Sequence, residues 1–468
     1  MTENLAIVIL AAGAGTRMKS ERAKVLHRAG GKTLIELVVA TASRLAPAGS
    51  IYVVVGYKAD QVRETLDGRG VKFVVQRQQL GTGHAVLACR RVFEKGAKRV
   101  LLLYGDCPLI SAETLQGLVD RHRASGAAAT VLTAEIADPA AYGRIVRGPS
   151  GRLEAIVELK AATAEQRAIR EINSGIYCFE TRDLFRSLRA LKPNRASGEY
   201  YLTDVIAELA SHGKTVETVV AEEPCQALGI NTRIELALVD SLLRIRKAEQ
   251  LMLEGVTIQR PETVTLDQDV RIGPDTLLEP FVQVLGRSAI GKGCLIRSYS
   301  MISDSTVADN VVVEPFSLLH GSKVEAGARI GPYARLRAGN RIGRGAQIGN
   351  FVELKKTRLG ARSKAMHLAY LGDSTIGARV NIGAGTITCN FDGVAKHPTT
   401  IQDGAFVGSN ATLVAPVEVG KDAYIAAGSV ITENLPPKAL GIGRARQTTK
   451  PGWVKRKRVG RASARAGL

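Results

Sequence analysis

The sequence predicts a two-part fold, in which a doubly wound, Rossmann-like α/β domain is followed by an all-β domain of hexapeptide repeats that wind into a parallel β-helix. Three observations predict this. Strand-like and helix-like segments alternate up to about residue 230, one uninterrupted helical segment follows, and a six-residue repeat begins after Gly255. A chain of 468 residues has room for two or three domains. We expect domains at 1–230 and 255–445, a helical linker at 231–254 and a basic tail at 446–468.

The α/β domain is predicted from the first 230 residues. Helix-like segments, for example 33–45 and 112–123, separate apolar runs that are long enough for buried parallel strands. This alternation is typical of a doubly wound sheet. The strand-like runs lie at 5–12, 51–55, 71–75, 100–103 and 130–132.

Residues 231–254 predict one long helix. The segment is rich in Leu, Arg, Glu and Ala, and it contains no internal Gly or Pro before Gly255. Because it lies between two different sequence patterns, we expect it to form an arm between the domains.

After Gly255 aliphatic residues recur every six positions, often with Gly directly after them and a small or β-branched residue four places later. Neither a helix nor an ordinary strand has this period. It is typical of a β-helix in which three hexads form one triangular coil and the aliphatic residue fills the interior. The aliphatic positions include Val284, Ile290, Ile296, Ile302, Val324, Ile330, Leu336, Ile342, Ile348, Leu354, Ile401, Val407, Leu413, Val419, Ile425 and Ile431.

Three segments interrupt or end the repeat. Residues 388–399 are a polar insertion that predicts a loop outside the coil, and residues 355–373 keep a ragged period and concentrate cations around His367 and Tyr370. The end of the chain, from Arg444, contains no acidic residue and includes the run KRKR, which predicts a solvated, poorly ordered tail.

Composition narrows the function classes. The chain has 64 Lys and Arg against 44 Asp and Glu, so its net charge of +20 favours acidic partners such as nucleotides, coenzyme A or nucleic acid. A specific nucleic-acid partner is disfavoured, because aromatic residues make up only 4% and no recognition motif is present. A hydrophobic content of 45% excludes wholesale disorder, and no apolar run reaches the ~20 residues that a membrane span needs.

The cysteines and the N-terminus favour a cytoplasmic protein. The N-terminal segment lacks the positive charge of a signal peptide, and none of the six cysteines forms a C-x-x-C pair. We therefore expect free thiols that pack in the core, without zinc or a disulfide framework. They are Cys89, Cys107, Cys178, Cys225, Cys294 and Cys389.

A glycine loop, LAAGAGTRM at 10–18, follows the first predicted strand directly. Small residues let backbone N–H groups approach an anion, and Arg17 and Lys24 supply positive charge for phosphate oxygens. The loop is neither a Walker A loop nor a G-x-G-x-x-G, and alone it is also compatible with a simple strand-to-helix turn. Two further features favour a phosphate-binding site over a simple turn: a second glycine loop, QLGTGHA at 79–85, and Asp106 at the end of a strand. A carboxylate there suits Mg²⁺, although a turn cap is the alternative for this residue.

Together these segments resemble the bifunctional GlmU family, N-acetylglucosamine-1-phosphate uridyltransferases fused to glucosamine-1-phosphate acetyltransferases. The resemblance runs from about residue 5 to 453 and implies a left-handed β-helix. It also implies synthesis of UDP-N-acetylglucosamine, a precursor of peptidoglycan and lipopolysaccharide-type polymers. The motifs that carry it are LAAGAGTRM, KVLH, QLGTGHA, LYGD, YGRIV, EINSGIY and NIGAGTITCN.

For the first reaction the resemblance implies that UTP and N-acetylglucosamine 1-phosphate are joined with release of pyrophosphate. Arg17 and Lys24 would neutralise phosphate charge, and Asp106 with Asn231 would hold Mg²⁺. The family usually has Pro where this chain has Ala23, which we expect to leave the loop less rigid. The implied binding residues for UTP and the product are Leu10, Ala11, Ala12, Gly13, Lys24, Gln76, Gly81, Thr82, Tyr104, Gly105, Asp106, Gly143, Glu158, Asn173 and Asn231.

For the second reaction the resemblance implies acetyl transfer from acetyl-CoA to glucosamine 1-phosphate, with His367 as general base, because an ammonium cannot attack a thioester. Without the family, a structural histidine would be the better interpretation. Glu353 could orient the base. The sugar phosphate would contact Arg337, Lys355, Tyr370 and Asn381, and acetyl-CoA would contact Ala384, Asn390, Phe391, Ser409, Ala427 and Arg444.

The resemblance also bears on one coenzyme A contact, on the oligomeric state and on one alternative function. The family more often has Tyr where this chain has Phe391, so a contact through that hydroxyl would be lost. Family members trimerise with acetyl-CoA between subunits, so we expect a homotrimer. The alternative is a monofunctional sugar nucleotidyltransferase whose β-helix only oligomerises, and His367, Asn381, Lys355 and Arg444 argue against it.

Overall fold

The structure is a computed structural model that describes residues 4–93, 96–139, 142–194 and 198–457. It divides into two units, Met1–Lys247 and Ala248–Leu468. The division falls inside the helix Arg233–Leu253. This helix corresponds to the one predicted at 231–254, with slightly shorter bounds. The predicted four-part boundaries stay a prediction, and residues 458–468 of the predicted tail lie outside the described residues.

The first unit is built on a seven-strand path of one mixed sheet. Leu5–Ala11 lies near its centre with every residue buried, as expected from the apolar run at 5–12. A hairpin of Arg144–Arg147 and Leu153–Val157 joins the sheet beside this path, and Arg28–Ala29 pairs separately with Lys32–Thr33. In spatial order the strands of the path are Val216–Val220, Ala129–Glu135, Glu171–Glu180, Arg99–Tyr104, Leu5–Ala11, Ile51–Val55 and Lys72–Val75.

Helices connect and cover these strands. The first begins at a capping box, in which Glu36 N–H donates to Thr33 Oγ1 at 3.3 Å and Thr33 N–H donates to Glu36 Oε2 at 2.9 Å. The α-helices are Leu34–Ala42, Ala59–Thr65, Thr82–Leu87, Arg90–Phe93, Ala112–Ser125, Ala164–Arg167, Thr181–Ala190, Asp204–Ser211 and Arg233–Leu253. The 3₁₀ turns are Thr16–Met18, Lys24–Leu26, Ala48–Ser50, Leu159–Ala161, Pro224–Ala227 and, in the second unit, Pro261–Thr263.

Along the seven-strand path, one strand runs opposite to the others. Glu171–Glu180 runs antiparallel to both of its neighbours, Arg99–Tyr104 and Ala129–Glu135. Its register shifts between Asn173 and Tyr177, where Gly175 has a φ of +81°. The irregularity falls in the motif EINSGIY, and it turns the first residues of this strand towards the hairpin at Arg144–Arg147.

The second unit is a coil of three parallel sheets, which confirms the predicted β-helix of hexapeptide repeats. The first face has 11 strands: Thr257–Ile258, Leu277–Leu278, Leu295–Ile296, Val312–Val313, Arg329–Ile330, Gln347–Asn350, Lys364–His367, Asn381–Ile382, Phe406–Val407, Tyr424–Ile425 and Leu440–Gly441. The second face has 10: Thr265–Leu266, Gln283–Leu285, Met301–Ser303, Leu318–His320, Arg335–Leu336, Glu353–Lys355, Tyr370–Gly372, Ile387–Cys389, Thr412–Val414 and Val430–Ile431. The third has 9: Arg271–Ile272, Ala289–Ile290, Thr306–Val307, Lys323–Val324, Arg341–Ile342, Arg358–Leu359, Ser374–Ile376, Thr399–Ile401 and Val417–Val419.

The aliphatic residues of the hexads form the interior of this coil. Ile302, Ile330 and Leu354 are essentially fully buried, and each lies in register with an aliphatic residue of the next coil. The small residues between them, such as Ala328 and Ala346, are also buried. The coil runs without a break through 355–373, where Ile348 pairs with Ala365, one residue short of three full hexads. This shorter coil explains the ragged period in the sequence.

All six cysteines are free thiols. Four of them are buried, as expected for core packing, whereas Cys225 and Cys389 are only half-buried. Among the described residues no helix is long and apolar enough to cross a membrane.

Candidate active sites

In the first unit four side chains predicted for phosphate and metal binding meet at one point. Lys24 Nζ forms an ion pair with Asp106 Oδ2 and donates a hydrogen bond to Asn231 Oδ1 at 3.1 Å. Arg17 Nη2 donates to the same Asn231 oxygen at 2.8 Å. Residues from three distant parts of the sequence therefore form one charged cluster at the carboxyl edge of the sheet.

The backbone around this cluster holds Asp106 and Asn231 in place. Gly105 N–H donates to Leu10 O at 2.9 Å, and Ile230 N–H donates to Asp106 O at 2.9 Å. Glu235 Oε2 accepts from Asn231 N–H at 2.6 Å and from Thr232 N–H at 2.7 Å, so the start of the long helix fixes the Asn231 backbone.

The first glycine loop combines a buried stem with an open tip. Leu10, Ala11 and Ala12 are buried, whereas Gly13 is exposed and a Cβ placed there would meet nothing within 4 Å. Ala23, the departure from the family pattern, is fully buried under the loop.

The second glycine loop is held by the segment around residue 200. Gly83 N–H donates to Tyr200 O at 2.8 Å, and Leu202 N–H donates to Thr82 Oγ1 at 3.1 Å. Gln76, which is buried, donates to Gly81 O at 3.1 Å. Both loops therefore present backbone groups from well-fixed positions at one end of the sheet.

The predicted sugar residues form a second cluster. A Cβ placed on Gly143 would lie 3.6 Å from Glu158 Oε1 and 3.7 Å from Asn173 Cβ, so the three residues are neighbours. Asn173 is fixed by its own bonds, because Gly175 N–H donates to its Oδ1 at 3.0 Å and its Nδ2 donates to Tyr177 Oη at 2.8 Å.

Burial changes the ionisation of this cluster. Desolvation raises the pKa of Glu158 above its usual range, with a hydrogen bond from Thr203 acting in the opposite direction. Burial also raises the pKa of Tyr104 well above its usual value, so this phenol stays protonated and can donate a hydrogen bond.

The charged cluster has the chemistry of a magnesium site. Asp106 and Asn231 each direct one oxygen at the same ammonium group, so both oxygens lie within reach of a single cation. Magnesium is typically bound by one or two protein carboxylates together with phosphate oxygens. Among the described residues no group of three or more His, Cys, Asp and Glu side chains could hold a metal ion.

In the second unit the predicted base, His367, is exposed at the end of the strand Lys364–His367. Its Nδ1 lies 3.0 Å from Asn350 Oδ1, a residue 17 positions earlier and in register on the preceding coil. An amide oxygen accepts, so in the neutral imidazole the proton is on Nδ1 and Nε2 is the basic nitrogen.

The Glu353 carboxylate is engaged by arginines in this structure. It accepts from Arg337 Nη1 at 3.2 Å and pairs with Arg335 at 3.7 Å. The side chain that contacts the imidazole is Asn350, and the expectation that Glu353 orients the base stays a prediction.

Arg337 and Lys355 line one groove of about 540 Å³ on the second face, together with Arg335, His320 and Lys356. A hydrogen bond with Lys396 and repulsion from its charge lower the pKa of Lys355. Five cationic or titratable groups thus surround a surface that sequence reasoning assigned to a sugar phosphate.

The predicted insertion at 388–399 overlaps the strands Ile387–Cys389 and Thr399–Ile401 at its two ends, and the loop between these strands is the shorter segment 390–398. Asn390 Nδ2 donates to Asp373, and the Asp392 carboxylate accepts from Val394 N–H at 2.8 Å and pairs with His397 at 2.7 Å. Phe391, which pairs with Lys396 below the turn of this loop, is 58% exposed.

Four of the predicted acetyl-CoA residues follow one ridge of the coil. Ala384, Ser409 and Ala427 occupy equivalent turns of successive coils, and Arg444 Nη1 donates to Ala427 O at 2.8 Å. Gly383 and Gly408 make this spacing possible, since a Cβ on either would lie 2.5 Å from the backbone nitrogen of the next coil.

The remaining sugar residues, Tyr370 and Asn381, lie on two different faces of the coil. Tyr370 Oη and Asn390 Nδ2 both lie beside Gly372 on the second face, whereas Asn381 is in register with Lys364 on the first face. Among the described residues no hydrogen bond joins His367 to Tyr370, Asn381 or Arg337.

Sequence reasoning missed Asn350, Lys396 and His320. Asn350 lies 17 positions before His367, which is one coil, so counting coils would have found it. Lys396 is folded back by the loop through its bridge to Phe391, which no periodicity reveals.

The two units together define a class of protein, a nucleotidyltransferase domain fused to a hexapeptide-repeat transferase. The MobA-like NTP transferase domain matches residues 7–216, and the bacterial transferase hexapeptide (six repeats) matches residues 398–433.

Full-length relatives narrow the class. The chain is 51% identical to the bifunctional protein GlmU of Koribacter versatilis (strain Ellin345), over 98% of this chain and 99% of the relative. It is 52% identical to that of Solibacter usitatus (strain Ellin6076), over 98% of each. It is 46% identical to that of Carboxydothermus hydrogenoformans, over 96% and 99%. The chain belongs to the bifunctional GlmU family.

Family membership confirms several expectations at once. The family resemblance, the two-part fold and the bifunctional transferase function in UDP-N-acetylglucosamine synthesis are confirmed. The monofunctional alternative, in which the β-helix only oligomerises, is set aside.

Proposed function

We propose that the two activities are divided between the two clusters, with acetyl transfer in the β-helix and uridylyl transfer at the glycine loop of the first unit. The observation that carries this proposal is that each unit holds its own, chemically different group of side chains. One is a lysine, an arginine, a carboxylate and an amide around one point, and the other is an imidazole with one nitrogen held. The two reactions follow one another: glucosamine 1-phosphate is acetylated first, and the product is then uridylylated.

In the uridylyl step a phosphate oxygen of N-acetylglucosamine 1-phosphate attacks the α-phosphorus of UTP. The bond between the α- and β-phosphates breaks and pyrophosphate leaves. No protein nucleophile is needed, so Arg17 and Lys24 act by orienting phosphates and neutralising charge. Magnesium held by Asp106 and Asn231 would supply further charge neutralisation on the phosphates.

The substrates would lie on either side of this point. The uracil and ribose lie on Leu10–Gly13, Gln76, Gly81 and Thr82, above Tyr104 and Gly105. The sugar lies on Gly143, Glu158 and Asn173. The short bonds that fix Asn173 and the protonated Tyr104 support this arrangement, because a preorganised polar site discriminates best between ligands.

In the acetyl step His367 Nε2 removes a proton from the ammonium of glucosamine 1-phosphate. The amine attacks the thioester carbonyl and loses its second proton to water. The carbon–sulfur bond breaks, and coenzyme A leaves as the thiol after its sulfur takes up the proton held by His367. Arg337 and Lys355 bind the sugar phosphate, and Tyr370 and Asn381 bind the sugar. The ridge of Ala384, Ser409, Ala427 and Arg444, with Asn390 and Phe391 in the loop, binds acetyl-CoA.

A homotrimer is the assembly that we propose for the β-helix. Ser409, Ala427, Arg444 and Phe391 are all exposed in one chain, so a neighbouring subunit could complete the pocket. Light scattering coupled to size exclusion should give three times the chain mass of 49.9 kDa, and a stable monomer with full acetyl transfer would contradict this. The cytoplasmic location remains a prediction from the sequence.

The assignment of one reaction to each unit can be tested with the wild-type protein. Glucosamine 1-phosphate, acetyl-CoA, UTP and Mg²⁺ are supplied together, and free thiol and pyrophosphate are followed separately. Both should appear. Chelation of divalent metal should stop pyrophosphate release and leave thiol release unchanged, whereas loss of both or of neither would refute the proposed placement of the metal.

A further inference from the structure

Lys24 occupies an unusual position in the first unit. Its ammonium contacts both oxygen atoms proposed for the metal, Asp106 Oδ2 and Asn231 Oδ1. The lysine and aspartate side chains are only 18% and 10% exposed. A cation of the chain itself therefore lies between the two donor atoms.

We propose that Lys24 is an internal counter-ion that holds Asp106 and Asn231 in place in the free enzyme and releases them when a nucleotide arrives. A divalent metal should then bind weakly to the free enzyme and tightly only together with the triphosphate. This inference rests on the proposed uridylyl-transfer site.

Charge supports this order of binding. Lys24 and Arg17 are the cations bonded to the two proposed donor side chains, and the nearby Glu235 carboxylate is bonded to backbone N–H groups instead. A divalent ion at the donor oxygens would add two positive charges beside Lys24 and Arg17 in a partly buried site. Like charges a few ångströms apart repel strongly where water is scarce. The triphosphate reverses the balance, because its negative oxygens attract Lys24 and Arg17 and free the two donor oxygens for the metal.

Packing of the loop supports a link between nucleotide and lysine. Gly15 has a φ of +67°, and a Cβ there would lie 2.5 Å from Lys24 Cβ. Only glycine allows the loop to lie this close to the lysine stem. Phosphates held by the loop would therefore lie beside the lysine that contacts the metal donors.

Mn²⁺ is the probe for the test, because free Mn²⁺ gives an EPR signal that bound Mn²⁺ lacks. The full-length protein is titrated with Mn²⁺ alone and with a UTP analogue that cannot be cleaved between the α- and β-phosphates. We expect weak binding alone and tight binding with the analogue. In Lys24→Met, binding of Mn²⁺ alone should strengthen by at least about tenfold.

Three further variants control the result. Lys19→Met changes an exposed lysine of the same loop and should leave Mn²⁺ binding unchanged. Lys24→Arg keeps the cation and should keep weak binding. Asp106→Asn should weaken Mn²⁺ binding with the analogue, and circular dichroism verifies that each variant is folded.

The outcomes separate two claims. Tight binding of Mn²⁺ to the wild-type protein without nucleotide would overturn the counter-ion. The counter-ion would also be overturned if Lys24→Met bound Mn²⁺ alone no more tightly than the wild-type protein. If Asp106→Asn still weakened Mn²⁺ binding with the analogue, the metal assignment would stand. Unchanged binding in Asp106→Asn would overturn the metal site and the counter-ion together.

Discussion

Replacing Asn350 with Ala tests the arrangement of the proposed general base most directly. Asn350 Oδ1 lies 3.0 Å from His367 Nδ1, and this contact keeps the proton on Nδ1 and the lone pair on Nε2. Alanine removes the acceptor and leaves the imidazole on the same strand. The ring can then rotate, and either nitrogen can carry the proton.

The size of the effect follows from the geometry. The bond joins an exposed imidazole to a half-buried amide, so its net contribution is about 0.5–1.5 kcal/mol. At 1.36 kcal/mol for each factor of ten, this predicts a loss of about 2–13-fold in kcat for acetyl transfer. Removing the base itself in His367→Ala should cost about 10²–10⁴-fold.

The assay follows release of free thiol at saturating acetyl-CoA and glucosamine 1-phosphate, over a range of pH. Asn350→Asp is the matched control. A carboxylate accepts the same hydrogen bond and stabilises the imidazolium, so this variant should keep activity and shift the acidic limb of the pH profile to higher pH. Pyrophosphate release from N-acetylglucosamine 1-phosphate and UTP should be unchanged in both variants.

Two results would refute the reasoning. Wild-type acetyl transfer in Asn350→Ala would show that the contact does not orient the base. A loss in Asn350→Asp as large as in Asn350→Ala, with no shift of the acidic limb, would show that Asn350 acts through packing instead of through His367.

Three further changes test packing and charge. Ile302→Ala removes a fully buried side chain from the coil and should lower the free energy of unfolding by about 2–5 kcal/mol, measured by denaturant titration, whereas Thr306→Ala at an exposed position should cost less than about 0.5 kcal/mol. Glu158 has a raised pKa in the folded state, so its contribution to stability is lost as pH rises through that pKa; Glu158→Gln should raise Tm by a few degrees near pH 8 and less near pH 5 in calorimetry, and an equal change at both would contradict this. Lys396→Met removes the cation that lowers the pKa of Lys355, so the alkaline rise in KM for glucosamine 1-phosphate should move to higher pH, and an unmoved profile would show that the two ammonium groups do not interact.

Much of the fold could be predicted because it repeats. The six-residue period identifies interior positions such as Ile302 and Leu354, since every coil must bury a similar side chain at the same place. The apolar run at the N-terminus likewise predicts a central strand, which the structure shows as Leu5–Ala11. The antiparallel direction of Glu171–Glu180 could not be predicted, because a buried strand has the same composition in either direction.

The candidate sites were predictable in composition and less so in geometry. The motifs contain Lys24 and Asp106, whereas the roles of His367 and Asn231 are implied only by the family resemblance. Contacts between distant segments could not be read from a pattern. The pairing of Lys24 with Asn231 joins residues 207 positions apart, and the contact of Asn350 with His367 depends on the length of one coil.

The central claim is that each unit carries out one of the two reactions. The most direct test measures thiol and pyrophosphate release in two variants of the full-length protein, His367→Ala and Asp106→Asn. We predict that His367→Ala loses thiol release alone when each half-reaction is supplied with its own substrates, and that Asp106→Asn loses pyrophosphate release alone. Loss of both products in either folded variant, or full thiol release by His367→Ala, would contradict the claim.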